Sequence, residues 1–266
     1  MRRPASWLVP DWPAPGRVRA FVTTREGGVS EGEHGTLNLG MRCGDDPERV
    51  AANRRAVQAH LPAPPAWLVQ VHGTAVADLD VGDATLSNPS EAATRPPGER
   101  LASPPVADAA VTSQPGRVAV VLTADCLPVF LCLEDGSRVA VAHAGWRGLA
   151  AGVLENAVAA LAEDASRVLA WLGPAIGPGA FEVGPEVREA FVAVDEAAAG
   201  AFRAHRDDRY LADLYALARS RLARAGVASI SGGGLCTYTE SERFFSYRRV
   251  RESGRLGAFI WIDGED

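Results

Sequence analysis

Residues 106–143 read VADAAVTSQPGRVAVVLTADCLPVFLCLEDGSRVAVAH, and their pattern decides the fold. Valine-rich runs follow one another here: Val106–Thr112, Arg117–Ala124, Val129–Leu133 and Val139–His143. Only short turn-forming stretches separate them. Such spacing suits hairpins and excludes the long helical crossover that joins parallel neighbours. The following segment, Gly145–Ala162, changes period. Leu149, Val153, Leu154, Ala157, Val158 and Leu161 recur at helical spacing and give one apolar face.

Working outward, Val18–Thr24 reads as a strand that ends in a Gly27-Gly28 turn. Asp46-Pro47-Glu48 combines a cap, a first-turn proline and an acid, and so opens a helix that runs to about His60. Trp67–Val71 and Ala75–Leu79 read as a strand pair around His72-Gly73. Further strands are expected at Val168–Leu172, Ala228–Ser231 and Ala258–Ile262, and helices at about 185–204 and 210–225. Hairpin-range strands with helices grouped later predict an α+β fold, mixed sheets packed with helices, over a doubly wound parallel sheet. The chain, 1–266, is expected to form a single globular domain. Residues 84–105 hold five prolines and no apolar anchor, and read as a mobile surface insertion.

Composition narrows the chemistry. All 27 basic residues are arginine, for the chain contains no lysine. A Schiff-base lysine, a P-loop lysine and a Ser-Lys dyad are therefore excluded. A net charge of -6 argues against non-specific duplex binding, which needs a basic face, so no nucleic-acid partner is expected. No apolar run is long enough to span a membrane, and the four scattered cysteines form no C-x-x-C and read as reduced thiols. A cytoplasmic protein is the expectation.

Three residues share a context that could carry a metal. His72 ends the apolar run Leu68–Val71, His143 ends Val139–Ala142, and Cys126 lies between two strands in Thr123-Ala124-Asp125-Cys126-Leu127-Pro128. If these strand ends meet at one rim, two imidazoles and a thiolate make a three-ligand zinc site with an open fourth position. Spacing alone leaves a second reading open, in which Cys126 is an inert buried thiol and the histidines are hydrogen-bonded strand ends. Arg147, at the start of the helix after His143, and Arg25, at a strand end, are candidate anion binders, with Arg248 behind them. Gly28-Val29-Ser30-Glu31-Gly32 matches the G-x-S-x-G of a nucleophile elbow. The glycines that follow carry no helical period, so the match reads as chance. The Gly- and Pro-dense run Trp171–Gly184 reads as a rigid loop able to wall a pocket.

Several of these segments together resemble the YfiH family. The resemblance rests on Thr23–Ser30 with Leu37-Asn38-Leu39-Gly40, on Gln70-Val71-His72-Gly73, on Thr123–Pro128 and on His143-Ala144-Gly145-Trp146-Arg147-Gly148. Gly173–Gly177, Phe181–Gly184 and Cys236-Thr237-Tyr238 with Phe245–Arg249 complete it. The family has been labelled a multicopper polyphenol oxidase or laccase, a purine nucleoside phosphorylase with adenosine deaminase activity, and a peptidoglycan editing factor. The resemblance implies that His72, Cys126 and His143 are both metal ligands and catalytic residues. It implies zinc, with copper second, and small-molecule partners: a purine nucleoside and phosphate. Arg25, Asn38, Arg147 and Arg248 become the candidate substrate- or phosphate-binding residues. Many relatives carry cysteine where this chain has Ala175 and Thr239, so those thiols are not needed for the chemistry.

Overall fold

The computed structural model describes residues 4–81, 104–162 and 164–264. Most of the expected insertion, residues 84–103, lies outside the described residues.

A six-stranded mixed sheet forms the centre, in the order β11-β7-β5-β6-β3-β2. Its strands are β2 (Val76–Asp78), β3 (Ala109–Thr112), β5 (Leu127–Leu133), β6 (Val139–Ala144), β7 (Val168–Leu172) and β11 (Ser229–Gly232). β5, β6, β3 and β7 pair antiparallel, whereas β2 joins β3 and β11 joins β7 in parallel. Every residue of β5 and β6 is buried, because the sheet is covered on both faces. Alternation along β5 sends Val129 and Leu131 to one side and Phe130 and Cys132 to the other.

The first side packs on helices. These are α2 (Trp146–Ala151), α3 (Val153–Leu161), α4 (Pro185–Val192) and α5 (Leu214–Arg224), which contribute Leu149, Leu154, Val187 and Leu217 to that core. The second side packs on an antiparallel sheet, β1 (Val18–Val22), β12 (Leu256–Ile262) and β4 (Ala119–Thr123). The outer face of that sheet, with Phe21, Val120 and Phe259, is closed by Val57 of α1 (Pro47–Gln58) and by Leu37 and Leu39. A small sheet of β8 (Glu182–Val183), β10 (Tyr210–Ala212) and β9 (Phe202–Ala204) packs on the helical side, with Val183, Phe202 and Ala212 in that core.

The mixed-sheet α+β architecture is as expected, but several elements differ. The helix expected over Gly145–Ala162 is two helices, broken at Gly152, which sits at φ 104°. The helix expected over 185–204 stops at Val192. Asp195 then caps a new 3-10 turn, and the chain continues as β9. Residues 210–212 are a strand, and α5 begins only after Asp213, whose carboxylate accepts the Ala216 N–H. Trp67–Val71 and the following strand do not pair. Val69 instead bridges Val106 in parallel. The Gln70 side-chain amide replaces a ladder rung, donating to Leu122 O at 2.8 Å and accepting from Leu122 N–H at 2.7 Å.

Gly152 is a position where the backbone conformation itself calls for glycine. A Cβ there would lie 3.6 Å from an Arg221 nitrogen, an ordinary contact, so the cost of Gly152→Ala comes from the left-handed backbone. That conformation costs a non-glycine residue about 1–2 kcal/mol. A net stability loss of about 1 kcal/mol is expected once the stiffer unfolded chain is counted. A shift of the urea midpoint at constant slope would measure it.

Candidate metal centre

The strand order explains why three distant residues meet. β5 begins where the antiparallel β6 ends, so Leu127 faces Ala144 and Pro128 faces His143. β3 begins opposite the same point, with Ala109 facing Ala142. β2, parallel to β3, also begins there, with Val76 opposite Ala109. The segments carrying Cys126, His143, Asp108 and His72 therefore share one edge of the sheet. One ligand atom from each of His72, Cys126 and His143 lies within 4.8 Å of the others. Cys126 Sγ is 3.7 Å from His72 Nε2, and the two imidazoles stand edge to face with centroids 4.8 Å apart.

Asp108 builds this corner. The carboxylate is fully buried, and it accepts the backbone N–H groups of Val71 at 3.1 Å, His72 at 2.9 Å and Gly73 at 2.7 Å. It also accepts from His143 Nδ1 at 2.8 Å. Burial alone would raise its pKa; these donors, the His143 imidazole first, hold it below the usual carboxylate range. The three N–H bonds stabilise the turn in which His72 adopts φ 61°, a conformation uncommon outside glycine. The bond to Nδ1 sets the His143 ring so that Nε2 faces the site, an arrangement common among metal-ligating histidines.

A second aspartate does the same for the cysteine. Asp125, at φ 82°, accepts from Thr237 Oγ1 at 2.6 Å, Ser246 Oγ at 3.0 Å and Arg248 N at 2.6 Å. Its carbonyl oxygen accepts the Ile176 N–H at 2.9 Å. The Gly- and Pro-dense loop thus braces the Cys126 turn from behind. Gly145 supplies the remaining clearance. A Cβ there would come 2.7 Å from His72 Cδ2 and 3.0 Å from Cys126 Sγ.

Burial would push the Cys126 thiol up. The charge of His143 and hydrogen bonds from His143 and His72 outweigh it and bring the pKa down to about 6. Burial would correspondingly lower His143, but the Cys126 thiolate and the Asp108 carboxylate raise it to about 9. The thiolate character that metal binding requires is thus built into the site. The donor set fits zinc. Bonds of about 2.0–2.3 Å in a tetrahedron place donors roughly 3.5 Å apart, and the 3.7 Å sulfur–nitrogen separation is close to that.

The ligand group opens into a cavity of about 680 Å³, within the range of roughly 300–1,000 Å³ usual for small-molecule sites. Arg147 lines it, together with Arg42, Arg54 and Arg255, and among the described residues no carboxylate lines it. Other expected binders do not reach the cavity. Arg25 is committed to Gly35 O and Ser241 O, both at 2.9 Å. Arg248 donates to Glu182 O at 2.7 Å and lies against Phe181. Asn38 is buried behind the wall, where its Oδ1 accepts from Gly40 N and Arg255 N, both at 2.8 Å. Ser30 of the elbow-like motif donates to Asp45 and has no histidine among its partners. Sequence reasoning missed Asp108, Arg42, Arg54 and Arg255.

The family model described as multi-copper polyphenol oxidoreductase laccase matches residues 19–263. Purine nucleoside phosphorylase YfiH of Escherichia coli K12 is 52% identical over 257 residues, covering 96% of this chain and 98% of that protein. The chain belongs to the YfiH family. Pseudomonas aeruginosa purine nucleoside phosphorylase PA4543 is 48% identical, covering 97% of this chain and 98% of its own length. The crystal structure of Neisseria meningitidis NMB0706 superposes with a TM-score of 0.87 at 46% identity, covering 97% of this chain and all of that one. That of YlmD from Geobacillus stearothermophilus gives 0.80 at 29% identity over 99% of this chain and 98% of that one.

Asp108→Asn tests the corner. One amide nitrogen would then face donors that now meet carboxylate oxygen. A stability loss of about 1–3 kcal/mol is expected. Zinc affinity, read by competition with a chromophoric chelator, should fall about 10–100-fold.

Proposed function

We propose that this YfiH-family chain is a zinc-dependent purine nucleoside phosphorylase that also deaminates adenosine. The observation that carries this reading is the convergence of His72, Cys126 and His143 on the wall of a cavity whose other charged lining residues, among the described residues, are all arginines. The names of relatives covered almost end to end, Escherichia coli YfiH and PA4543 among them, support the phosphorylase part of this reading. Bound to the three ligands, zinc would supply a Lewis-acidic centre with an open coordination position.

The chain's own residues do the rest. Asp108 orients His143, and Asp125 holds the turn that presents Cys126. Trp67, Leu122, Met41 and Tyr247 give the cavity apolar and aromatic surface for a purine. The guanidinium groups attract and orient phosphate, which displaces the base at ribose C1′. The C1′–O bond forms, the C1′–N9 bond breaks, and the base leaves as the free purine with the proton that dihydrogen phosphate gives up. The open cavity also allows a nucleoside to present its 6-amino group for hydrolytic loss as ammonia.

Laccase chemistry of the blue-copper kind needs many more histidines than this site has. Of the chain's five, His34 bonds Cys43 O, His60 packs on Trp7 and His205 lies beside Glu182. Only two remain for the metal, enough for one ion rather than a multicopper cluster.

Zinc-loaded protein with inosine and phosphate is expected to release hypoxanthine and ribose 1-phosphate. A chelator should stop the reaction and zinc should restore it. His72→Ala and Cys126→Ser should lose zinc and lower kcat/KM by roughly 100-fold or more, since a Lewis acid contributes several kcal/mol. Full turnover in the chelated protein, or stoichiometric zinc with no turnover, would count against the reading.

A further inference from the structure

The cavity has two poles. One is the metal corner, with Arg147 next to Gly145 and Trp146. The other is built around the Asn38–Arg42 loop. Arg54 donates its Nε to Leu39 O at 2.9 Å, and its guanidinium lies 3.7 Å over the Trp67 ring. Arg255 donates its backbone N–H to Asn38 Oδ1 and packs its stem where a Cβ on Gly40 would come within 2.7 Å of Cγ. Arg42 follows two residues after Gly40, and Tyr247 stands 5.8 Å from the Arg255 guanidinium. The loop is itself rigid, because the buried Asn53 amide, one residue before Arg54, donates to Asn38 O at 2.9 Å.

Resting on the phosphorylase reading, we infer that this arginine pole is the seat of a phosphate oxyanion, with Arg54 as its fixed member. Arg54 is half-buried, and stacking on Trp67 with the bond to Leu39 O fixes its plane. Among the described residues its two terminal nitrogens have no protein hydrogen-bond partner, and the side chain faces the cavity. A planar guanidinium held by one edge offers the other edge as a two-pronged donor that matches a phosphate. Arg147 is exposed and lies over its neighbour Trp146 at 4.4 Å, so it is less constrained. Burial lowers the Arg54 pKa to about 10, which leaves it a cation at neutral pH. Among the described residues the lining holds four arginines and no carboxylate, which favours an anion, although Arg255 spends part of its guanidinium on Ser253 O and Gly254 O.

Isothermal titration of the zinc-loaded protein with inorganic phosphate, and separately with a nucleoside 5′-monophosphate, tests the seat. Arg54→Gln is expected to weaken phosphate binding about 10- to 100-fold, the usual worth of hydrogen bonds to a charged group. Arg54→Lys should fall between wild type and Arg54→Gln, because it keeps the charge and loses the fork. Zinc content and inosine affinity should stay within twofold of wild type. Arg147→Gln should change phosphate affinity less than Arg54→Gln does. Wild-type protein that binds neither anion would overturn the inference, as would Arg54→Gln protein that binds both anions normally. If only the monophosphate depends on Arg54, the seat stands as one for substrate-borne phosphate, and the phosphorolysis reading falls. If inorganic phosphate binds through Arg54 but inosine is not cleaved, the seat again stands and the activity assignment fails alone.

Discussion

A carboxylate with no access to water must find donors or give up its charge, and Asp108 finds four. Three come from consecutive backbone N–H groups of one turn and the fourth from the ring of a histidine on another strand. One buried anion thereby ties the conformation of the His72 loop to the orientation of His143. Neither would be held so firmly by its own local sequence. His72 sits in the left-handed region, which an L-residue leaves readily unless the surroundings over-determine it. The ring of an unbonded histidine would rotate freely about its side chain. Coupling both to a single group converts two soft degrees of freedom into one rigid corner.

That coupling is possible because of strand order. The β6 strand lies between β5 and β3, so the residues flanking its C-terminal end meet the starts of both neighbours. Asp125 repeats the device one strand over. Asp125, itself at φ 82°, accepts from the Thr237 and Ser246 hydroxyls and the Arg248 N–H and so holds the turn that carries Cys126. The Asp108 carboxylate also enters the electrostatics of the candidate ligands. The Asp108 charge favours imidazolium at His143, and that in turn favours thiolate at Cys126. The protein thus stabilises the deprotonated sulfur before any ion arrives.

Much of this frame was legible in the sequence. Strands buried on both faces appear as unbroken apolar runs, and β5 and β6 do so because a sheet covers one side and helices the other. The three candidate ligands could be picked out because His72 and His143 close apolar runs and Cys126 lies between two of them. What escaped notice depends on contacts made across the fold. Asp108 reads as a polar residue near a strand edge, and nothing nearby shows that four donors will converge on it. Gly152 reads as a small residue inside a helical pattern, and its break is visible only through φ. Arg25, Asn38 and Arg248 lie in recognisable motifs, yet their hydrogen bonds support loops instead of lining the cavity. A motif marks residues the fold needs, and the fold needs its loop braces as much as its site.

Arg54 shows why the absence of lysine is compatible with anion handling. On α1 it is one arginine among 27, adjacent to a buried face and carrying no motif. Its value comes from Trp67, which lies beyond the helix in another segment. A lysine in its place would present a point charge on a flexible stem, strongly hydrated and costly to bury. The guanidinium tolerates half-burial because its charge is delocalised and its face can rest on an indole. For the phosphate seat proposed above, arginine is therefore the better cation, because it stays fixed while the anion is desolvated. Here the stacking residue, the carbonyl at Leu39 and the rigid Asn38–Asn53 contact all serve that single orientation.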